Sequence, residues 1–114
     1  MRGRWVVSAV ETLRKARELL TPEGAWGQGR DAENAAGLPC SPGDEGAVCW
    51  CSYGAMNRAG QAEKARPFFM AATGADDYAG VVGWNDAPDR THAEVLAAFD
   101  RAIELAEASA GGPQ

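Results

Sequence analysis

An uncharged run from Ala47 to Met56 is the feature that most constrains how this chain of 114 residues can fold. Charged residues make up 24% of the whole chain, so a run without any of them belongs in the interior of the molecule. Extended to Ala59, the run is too long for most strands. The sequence therefore predicts a central helix over Ala47–Ala59, buried on all sides and capped by Asp44.

One face of this predicted helix carries only small residues. A face of this kind would let a second helix approach closely, because no bulky side chain keeps the two backbones apart. The residues are Ala47, Cys51, Gly54 and Ala55. We therefore expect the rest of the chain to pack around this element.

Three other segments have the helical spacing of apolar residues. The first helix is predicted to begin near the capping-box pattern Ser8–Glu11 and to end before Pro22. The next covers Gln61–Ala72, where Pro67 either kinks the helix or starts a shorter one. The last helix begins at a second capping box, Thr91–Glu94, and is apolar along one face.

The segment from residue 21 to residue 46 has no sustained periodicity and contains six glycines and three prolines. It is predicted to be one long loop, and ordered loops of this length often form binding surfaces. Residues 76–84 fit either a short helix or an extended piece, whereas residues 85–89 have the composition of a turn. The tail at 109–114 is expected to fray.

Together these elements predict an all-α fold, a compact bundle of four or five helices around the buried central helix, with one long Gly/Pro-rich loop. The length is typical of a single domain, here residues 1–114. Neither a signal-peptide core nor a run of about 20 apolar residues is found. Because the cysteines number three, reduced thiols are expected, and the predicted location is the cytoplasm.

The charge balance restricts the class of partner. The formal net charge is −5 and the pI is near 4.8, whereas binding to a phosphate backbone requires clustered cations. The acidic residues are scattered among basic ones, so mimicry of a nucleic acid is not indicated either. We therefore expect a protein partner, with no nucleic acid and no membrane.

Three motifs occur here in the same order as in a known family. They are Gly24-x-Trp26-x-Gln28-Gly29, Cys49-Trp50-Cys51-x-x-Gly54-Ala55 and Trp84-Asn85-Asp86-x-Pro88-x-Arg90-Thr91-x-x-Glu94-Val95. Over residues 8–107 the chain resembles a family of short uncharacterised proteins from actinobacteria, proteobacteria and their phages. The resemblance implies a helical domain but no activity, cofactor or catalytic residue.

A zinc site would need thiolate and imidazole ligands that converge on one point. The candidates are Cys40, Cys49, Cys51 and His92. On the predicted central helix, the side chains of Cys49 and Cys51 would diverge by about 160° around the axis. The sequence therefore predicts buried structural thiols, and neither a metal nor another cofactor.

A thiol-dependent enzyme is the sharper catalytic hypothesis. It would use Cys51 or Cys49 as the nucleophile and His92 as the base. Asp86 or Asn85 would orient the imidazole. A solvent-facing His92 in the first turn of the last helix is the more ordinary interpretation, so an enzymatic role is the less favoured one.

The two loops that flank the central segment hold the candidates for an interaction or ligand site. Arg90, directly before the last helix, could hold an anion together with the free amides of that helix. The full set of candidates is Trp26, Gln28, Arg30, Asp31, Trp84, Asn85, Asp86 and Arg90.

Asn85 and Asp86 are predicted to tie the loop before the last helix to Arg17 or Arg30 through buried hydrogen bonds. Arg17 falls within the apolar arc of the first helix, so its guanidinium either extends to solvent or meets a carboxylate. The indole N–H groups also need acceptors, and the Asn85 and Asp86 side chains are near Trp84 in sequence.

The function indicated is a protein-interaction or regulatory module, an accessory or phage-carried factor that binds a bacterial protein, with the long loop as its contact surface. Two alternatives stay open. One is the thiol-dependent enzyme, and the other is a small-ligand binder with a pocket walled by aromatic side chains. The wall residues would be Trp26, Trp50, Tyr53 and Trp84.

Overall fold

The computed structural model describes residues 2–111, with side chains over residues 5–109. The described chain contains five helices and one two-stranded antiparallel sheet. In chain order the elements are α1 (Arg2–Leu20), β1 (Ala32–Asn34), β2 (Ala47–Trp50), α2 (Ser52–Ala59), α3 (Ala62–Thr73), α4 (Tyr78–Asp86) and α5 (His92–Gly111). The prediction of a mostly helical protein is confirmed, with 60% of the residues in helices. The all-α class is wrong, because 9% are in strands.

An aromatic contact joins three of the helices. α1 packs against α5, α2 and α3, and α3 packs against α5. Phe69 of α3 is fully buried, and its ring centroid lies 4.6 Å from that of Phe99 in α5 and 5.6 Å from that of Trp84 in α4. Burying one phenylalanine stabilises a fold by roughly 1.5–3 kcal/mol. None of the described helices combines the length and hydrophobicity needed to cross a bilayer.

Among the described side chains, two ion pairs join α1 to α5. Arg17 Nε donates to Asp100 Oδ1 at 2.9 Å, and Arg14 pairs with Glu107. Of the two possibilities for Arg17, the carboxylate partner is the one observed. Exposed pairs of this kind contribute only about 0–1 kcal/mol, so the burial of apolar faces is what holds α1 against α5.

The central segment is not one helix, contrary to the prediction. Its first part is the strand β2, and Cys51 is extended, with φ −79° and ψ 176°, and caps α2. The Sγ of Cys51 accepts a hydrogen bond from the Gly54 amide at 3.2 Å, so this residue ends the strand and begins the helix. Asp44 is not the cap, since its Oδ1 accepts from the Gly46 amide at 2.7 Å within the preceding turn.

Backbone partners on both sides of β2 explain why it is extended. On one side β1 pairs with it antiparallel. On the other side Trp50 N donates to Ala25 O at 2.9 Å, and Gly27 N donates to Trp50 O at 3.0 Å. These partners all come from residues 21–46, so the predicted long loop contains a strand and a bridge to β2.

Gly54 in α2 lies directly against the backbone of this loop. A Cβ at Gly54 would stand 1.9 Å from the carbonyl oxygen of Asp31, and that oxygen also accepts from Cys51 N at 3.2 Å. The close approach expected at the small-residue face is therefore present. Its partner is the loop backbone and not a second helix.

The observed boundaries of α1 and α3 test the predictions of where these two helices begin and end. α1 begins at Arg2, so Ser8–Glu11 lies inside the helix and the predicted capping box there is wrong. The predicted end before Pro22 is confirmed, because α1 stops at Leu20. α3 runs unbroken past Pro67, so the proline starts no separate helix.

The segment 76–84, which was predicted to be either a short helix or an extended piece, is helical from Tyr78 onward. Asp77 caps α4 by accepting a hydrogen bond from the Gly80 amide at 2.8 Å. α4 includes Asn85 and Asp86, so the first residues of the predicted turn over 85–89 belong to its last turn.

The capping box of α5 is confirmed. Thr91 N donates to Glu94 Oε1 at 2.9 Å, and Glu94 N donates to Thr91 Oγ1 at 3.1 Å. The helix continues to Gly111, so residues 109–111 of the tail belong to α5, and the expected fraying stays a prediction. Residues 112–114 lie outside the described chain.

Replacing Gly54 by alanine tests the contact between α2 and the loop. We expect Gly54→Ala to lower the free energy of unfolding by about 1–3 kcal/mol or more, because the methyl group overlaps a backbone oxygen that cannot move alone. Gly83→Ala is the matched control, since Gly83 is also inside a helix and a Cβ there meets nothing within 4 Å. That variant should gain about 0.5–1 kcal/mol. Equal urea midpoints for the two variants would contradict the contact.

Candidate functional site

The side-chain amide of Asn85 is fully buried and joins three parts of the chain. Its Oδ1 accepts from Trp26 Nε1 at 2.8 Å, from Ser52 N at 2.9 Å and from Ser52 Oγ at 2.7 Å. Its Nδ2 donates to Gly27 O at 3.1 Å and to Asp86 Oδ1 at 2.9 Å. We call this cluster of Trp26, Gly27, Ser52 and Asn85 the amide node. It ties the loop and the start of α2 to the end of α4.

The turn after Trp26 is fastened to the same end of α4. Gln28 Nε2 donates to Asn85 O at 3.0 Å and to Ala87 O at 2.8 Å. Asp86 Oδ1 accepts from the Gly29 amide at 3.0 Å. Four of the predicted site residues thus meet at the end of α4, where hydrogen bonds fix their positions. They are Trp26, Gln28, Asn85 and Asp86.

The predicted arginine partners of Asn85 and Asp86 are wrong. Arg17 pairs with Asp100, and Arg30 Nη1 donates to Gly37 O at 3.1 Å. The partners of the Asn85 amide are an indole, a hydroxyl, backbone groups and the neighbouring Asp86 carboxylate. The amide is thus satisfied without a buried arginine.

Arg90 and Trp84 fasten the turn between α4 and α5. The Arg90 guanidinium lies 4.0 Å from the centroid of the Trp84 ring, and its Nε donates to Trp84 O at 2.8 Å. Arg90 also pairs with Glu94 at 3.6 Å. The Arg90 guanidinium, for which anion binding was predicted, is therefore already in contact with groups of its own chain.

His92 is not placed beside a thiol. Its ring stacks on Trp26 with centroids 6.1 Å apart, and its Nε2 lies 2.5 Å from Leu20 O. Cys51 is buried beneath Asp31, with its Sγ 3.9 Å from Asp31 Oδ1. Burial raises the pKa of the Cys51 thiol to about 11, the direction opposite to that of an activated nucleophile.

Cys49 lies in β2 and Cys51 is extended, so the prediction that their side chains diverge around a helix axis is wrong. Cys49 is half-buried beside Gly27. A Cβ added at Gly27 would lie 2.7 Å from the Cys49 Sγ. Burial raises the pKa of the Cys49 thiol as well. Within the described side chains, no three histidine, cysteine or acidic groups are close enough together to hold a metal ion.

The side chains of the four aromatic residues expected to wall a single pocket have different packing partners. Trp26 stacks on His92, and Tyr53 meets Tyr78 edge-on with centroids 4.6 Å apart. Trp84 packs against Phe69. Trp50 is the one of the four that lines the groove described next.

An open groove of about 860 Å³ lies between the second half of α1 and β2. We call it the α1–β2 groove. Its lining contains both apolar and charged residues, and it comprises Lys15, Glu18, Leu19, Pro22, Glu23, Gly24, Ala25, Ala47, Val48, Trp50, Arg58 and Ala59. Val48 is 50% exposed. Sequence reasoning missed this site because the central segment was assigned to a helix, although Val-Cys-Trp is a combination typical of strands.

Arg58 and Trp50 build one wall of the groove together. The Arg58 guanidinium lies 5.7 Å from the centroid of the Trp50 ring. Both side chains donate to the carbonyl oxygen of Pro42, each at 3.1 Å, and Arg58 also donates to Asp44 O at 2.7 Å. The wall therefore includes the end of the loop and does not depend on α2 alone.

Asn85→Ala tests the amide node. We expect the free energy of unfolding to fall by about 2–4 kcal/mol, because the Trp26 indole and the Ser52 amide lose their acceptor in a buried place. Asn57 is exposed in α2, so Asn57→Ala should change stability by no more than about 0.5 kcal/mol. Chemical denaturation followed by circular dichroism measures both, and an Asn85→Ala variant as stable as Asn57→Ala would refute the node.

The Cys51 thiol predicts a loss of stability in alkaline solution. Because its pKa rises from 9.0 to about 11 on folding, the unfolded chain loses this proton first, and the free energy of unfolding falls as the pH increases through that interval. Cys51→Ser keeps a capping acceptor and removes this titration, so its urea midpoint should fall less than that of wild type between about pH 8 and pH 11. An equal fall in the Cys51→Ser variant and in wild type would argue against a buried neutral thiol.

Comparison with other proteins gives one match. Neither the curated proteins nor the solved structures contain a match to this chain. A family model described as a family of unknown function, DUF6197, matches residues 6–105. The predicted resemblance to a family without an established activity is confirmed. This chain belongs to that family of unknown function, DUF6197.

Proposed function

We propose that this protein is a binding module that takes up a segment of another protein in the α1–β2 groove. The observation that carries the proposal is the groove itself, about 860 Å³ in volume and open to solvent, with both apolar and charged residues in its lining. Protein interfaces combine the same two kinds of residue, apolar ones for burial and polar ones around them.

The openness of the groove favours a protein segment over a small molecule. Small-molecule sites usually enclose about 70–90% of the ligand surface. A segment of a larger partner can lie in an open groove and continue beyond its ends. This distinguishes the proposal from the alternative of a small-ligand pocket walled by four aromatic residues.

Val48 has an exposed apolar side chain that a partner could cover. Val48 is 50% exposed, although it belongs to a segment whose neighbours Ala47 and Trp50 are buried. Covering a valine of this kind on binding removes apolar surface from water, at about 25 cal/mol per Å². Together with Leu19 and Pro22 across the groove, it supplies the apolar anchors for a partner.

The walls are built before any partner arrives. Ala25 and Trp50 are joined by a backbone hydrogen bond, Arg58 holds the end of the loop, and the amide node fixes the turn that follows Ala25. A groove ordered in advance pays little conformational entropy on binding. Its affinity can therefore come from few contacts.

Val48→Arg should weaken partner binding without unfolding the protein. A charge in place of an apolar contact residue should lower affinity about tenfold or more. Val7→Arg is the matched control, because Val7 is 51% exposed and lies outside the groove lining. Both variants should unfold at the same temperature as wild type.

The measurement is capture from a lysate of the cells that make the protein, quantified by mass spectrometry. A partner held in stoichiometric amount by wild type and by Val7→Arg, and lost from Val48→Arg, supports the proposal. Capture of the same proteins by all three chains, or of none by wild type, contradicts it.

A further inference from the structure

We infer that residues 41–46 cover a two-donor site on the wall of the α1–β2 groove, and that a carboxylate displaces them from it. We call the segment Ser41–Gly46 the strap. The two donors are the side chains of Trp50 and Arg58. The inference concerns a movement of the free protein, so it goes beyond the proposed function and does not need a partner to be identified.

The Trp50 and Arg58 side chains converge on one oxygen atom. Trp50 Nε1 and Arg58 Nη1 each donate to Pro42 O at 3.1 Å, and the guanidinium lies 5.7 Å from the centroid of the Trp50 ring. Both residues also line the groove. A donor from β2 and a donor from the last turn of α2 thus form one acceptor site at the groove wall. The strap supplies the acceptor.

Few contacts hold the strap against the rest of the protein. Besides the two bonds to Pro42 O, Arg58 Nη1 donates to Asp44 O at 2.7 Å. Among the residues that the structure describes, no other side chain from outside the strap makes a hydrogen bond to it. Five of its six residues are exposed, and Pro42 is half-buried. Because it buries so little, a segment of this kind opens at a lower free-energy cost than the core does.

The shape of the strap does not depend on the two donors. Within the strap, Gly46 N donates to Asp44 Oδ1 at 2.7 Å. On its two sides, Cys40 N donates to a backbone oxygen of β1 and Ala47 pairs with β1. The strap can therefore swing away as a unit without breaking the sheet.

The strap is a replaceable occupant of this site because its acceptors are neutral. None of the observed ion pairs among the described side chains includes Arg58. A guanidinium pairs with a carboxylate through two parallel, charge-assisted hydrogen bonds, whereas here it bonds to carbonyl oxygens through Nη1 alone. A carboxylate that reaches the groove wall therefore displaces Pro42 O and Asp44 O. The Trp50 indole N–H is then free to donate to the same carboxylate.

Exchange of the Trp50 indole N–H, followed by NMR in the native state, tests whether Arg58 holds the strap. We expect this proton to exchange about tenfold faster or more in Arg58→Met than in wild type, because Pro42 O is then held by the indole alone. Arg58→Lys should lie between them, since an ammonium keeps the charge but not the fork of donors. The Trp26 indole N–H, which donates to Asn85 Oδ1, should exchange equally in all three proteins.

Arg101→Met is the matched control for the loss of an arginine. Arg101 is exposed in α5 and lies outside the groove lining, so its replacement should leave the exchange of the Trp50 N–H unchanged. Equal exchange of this proton in Arg58→Met and Arg101→Met would show that Arg58 does not hold the strap, and it would overturn the inference.

Sodium acetate then serves as the carboxylate probe. Its addition to wild type should shift the Trp50 indole signal and the amide signals of Gly43 and Gly46 in a saturable way, because these groups leave their present surroundings when the strap is displaced. Sodium chloride at the same ionic strength should produce no such shift, and Arg58→Met should not respond to acetate. A response to acetate that equals the response to chloride would overturn displacement by a carboxylate.

These outcomes are separate from those that test the proposed function, because no partner is used. Failure of either NMR experiment overturns the inference about the strap and leaves the groove to the capture experiment with Val48→Arg. A strap that responds to acetate, together with no capture that depends on Val48, overturns the proposed function alone.

Discussion

The buried amide of Asn85 is the interaction on which the rest of the structure depends, because it satisfies polar groups from three segments that are far apart in sequence. Its oxygen accepts from the Trp26 indole and from Ser52, and its nitrogen donates to Gly27 O. Each of these groups would cost about 1–3 kcal/mol if it were buried without a partner. The loop, the start of α2 and the end of α4 must therefore come together or not be buried at all.

The groove is a consequence of this arrangement. Once the turn at Trp26 is fixed, Ala25 and Gly27 can pair with Trp50, and the strand β2 forms at a distance from α1 that leaves an open channel. Gly54 permits the loop backbone to approach α2 closely. The contacts that stabilise the fold thus also shape the surface for which a binding function is proposed. The residues that build this surface are therefore different from those that would touch a partner.

Local patterns predicted the parts of the fold that depend on neighbouring residues. The capping box at Thr91 and the end of α1 before Pro22 could be predicted from the sequence because each depends on a few adjacent residues. The strand β2 was not, since its hydrogen-bond partners are distant in sequence, as with Trp50 and Ala25, which are 25 positions apart. The sequence also pointed to Trp26, Gln28, Asn85 and Asp86, which do meet. The Asn85 amide, however, bonds to an indole, a hydroxyl, backbone groups and the neighbouring Asp86 carboxylate, and not to the arginines that were predicted.

Hydrogen exchange of the Trp26 indole N–H, followed by NMR in the native state, tests the dependence on Asn85 most directly. If the amide node is integral to the fold, this proton exchanges only when the whole protein unfolds, with the same free energy of opening as the most protected amides of α1. Exchange through a smaller opening, while α1 and α5 stay protected, would show that the loop is an addition to an independent helical body and would contradict the account.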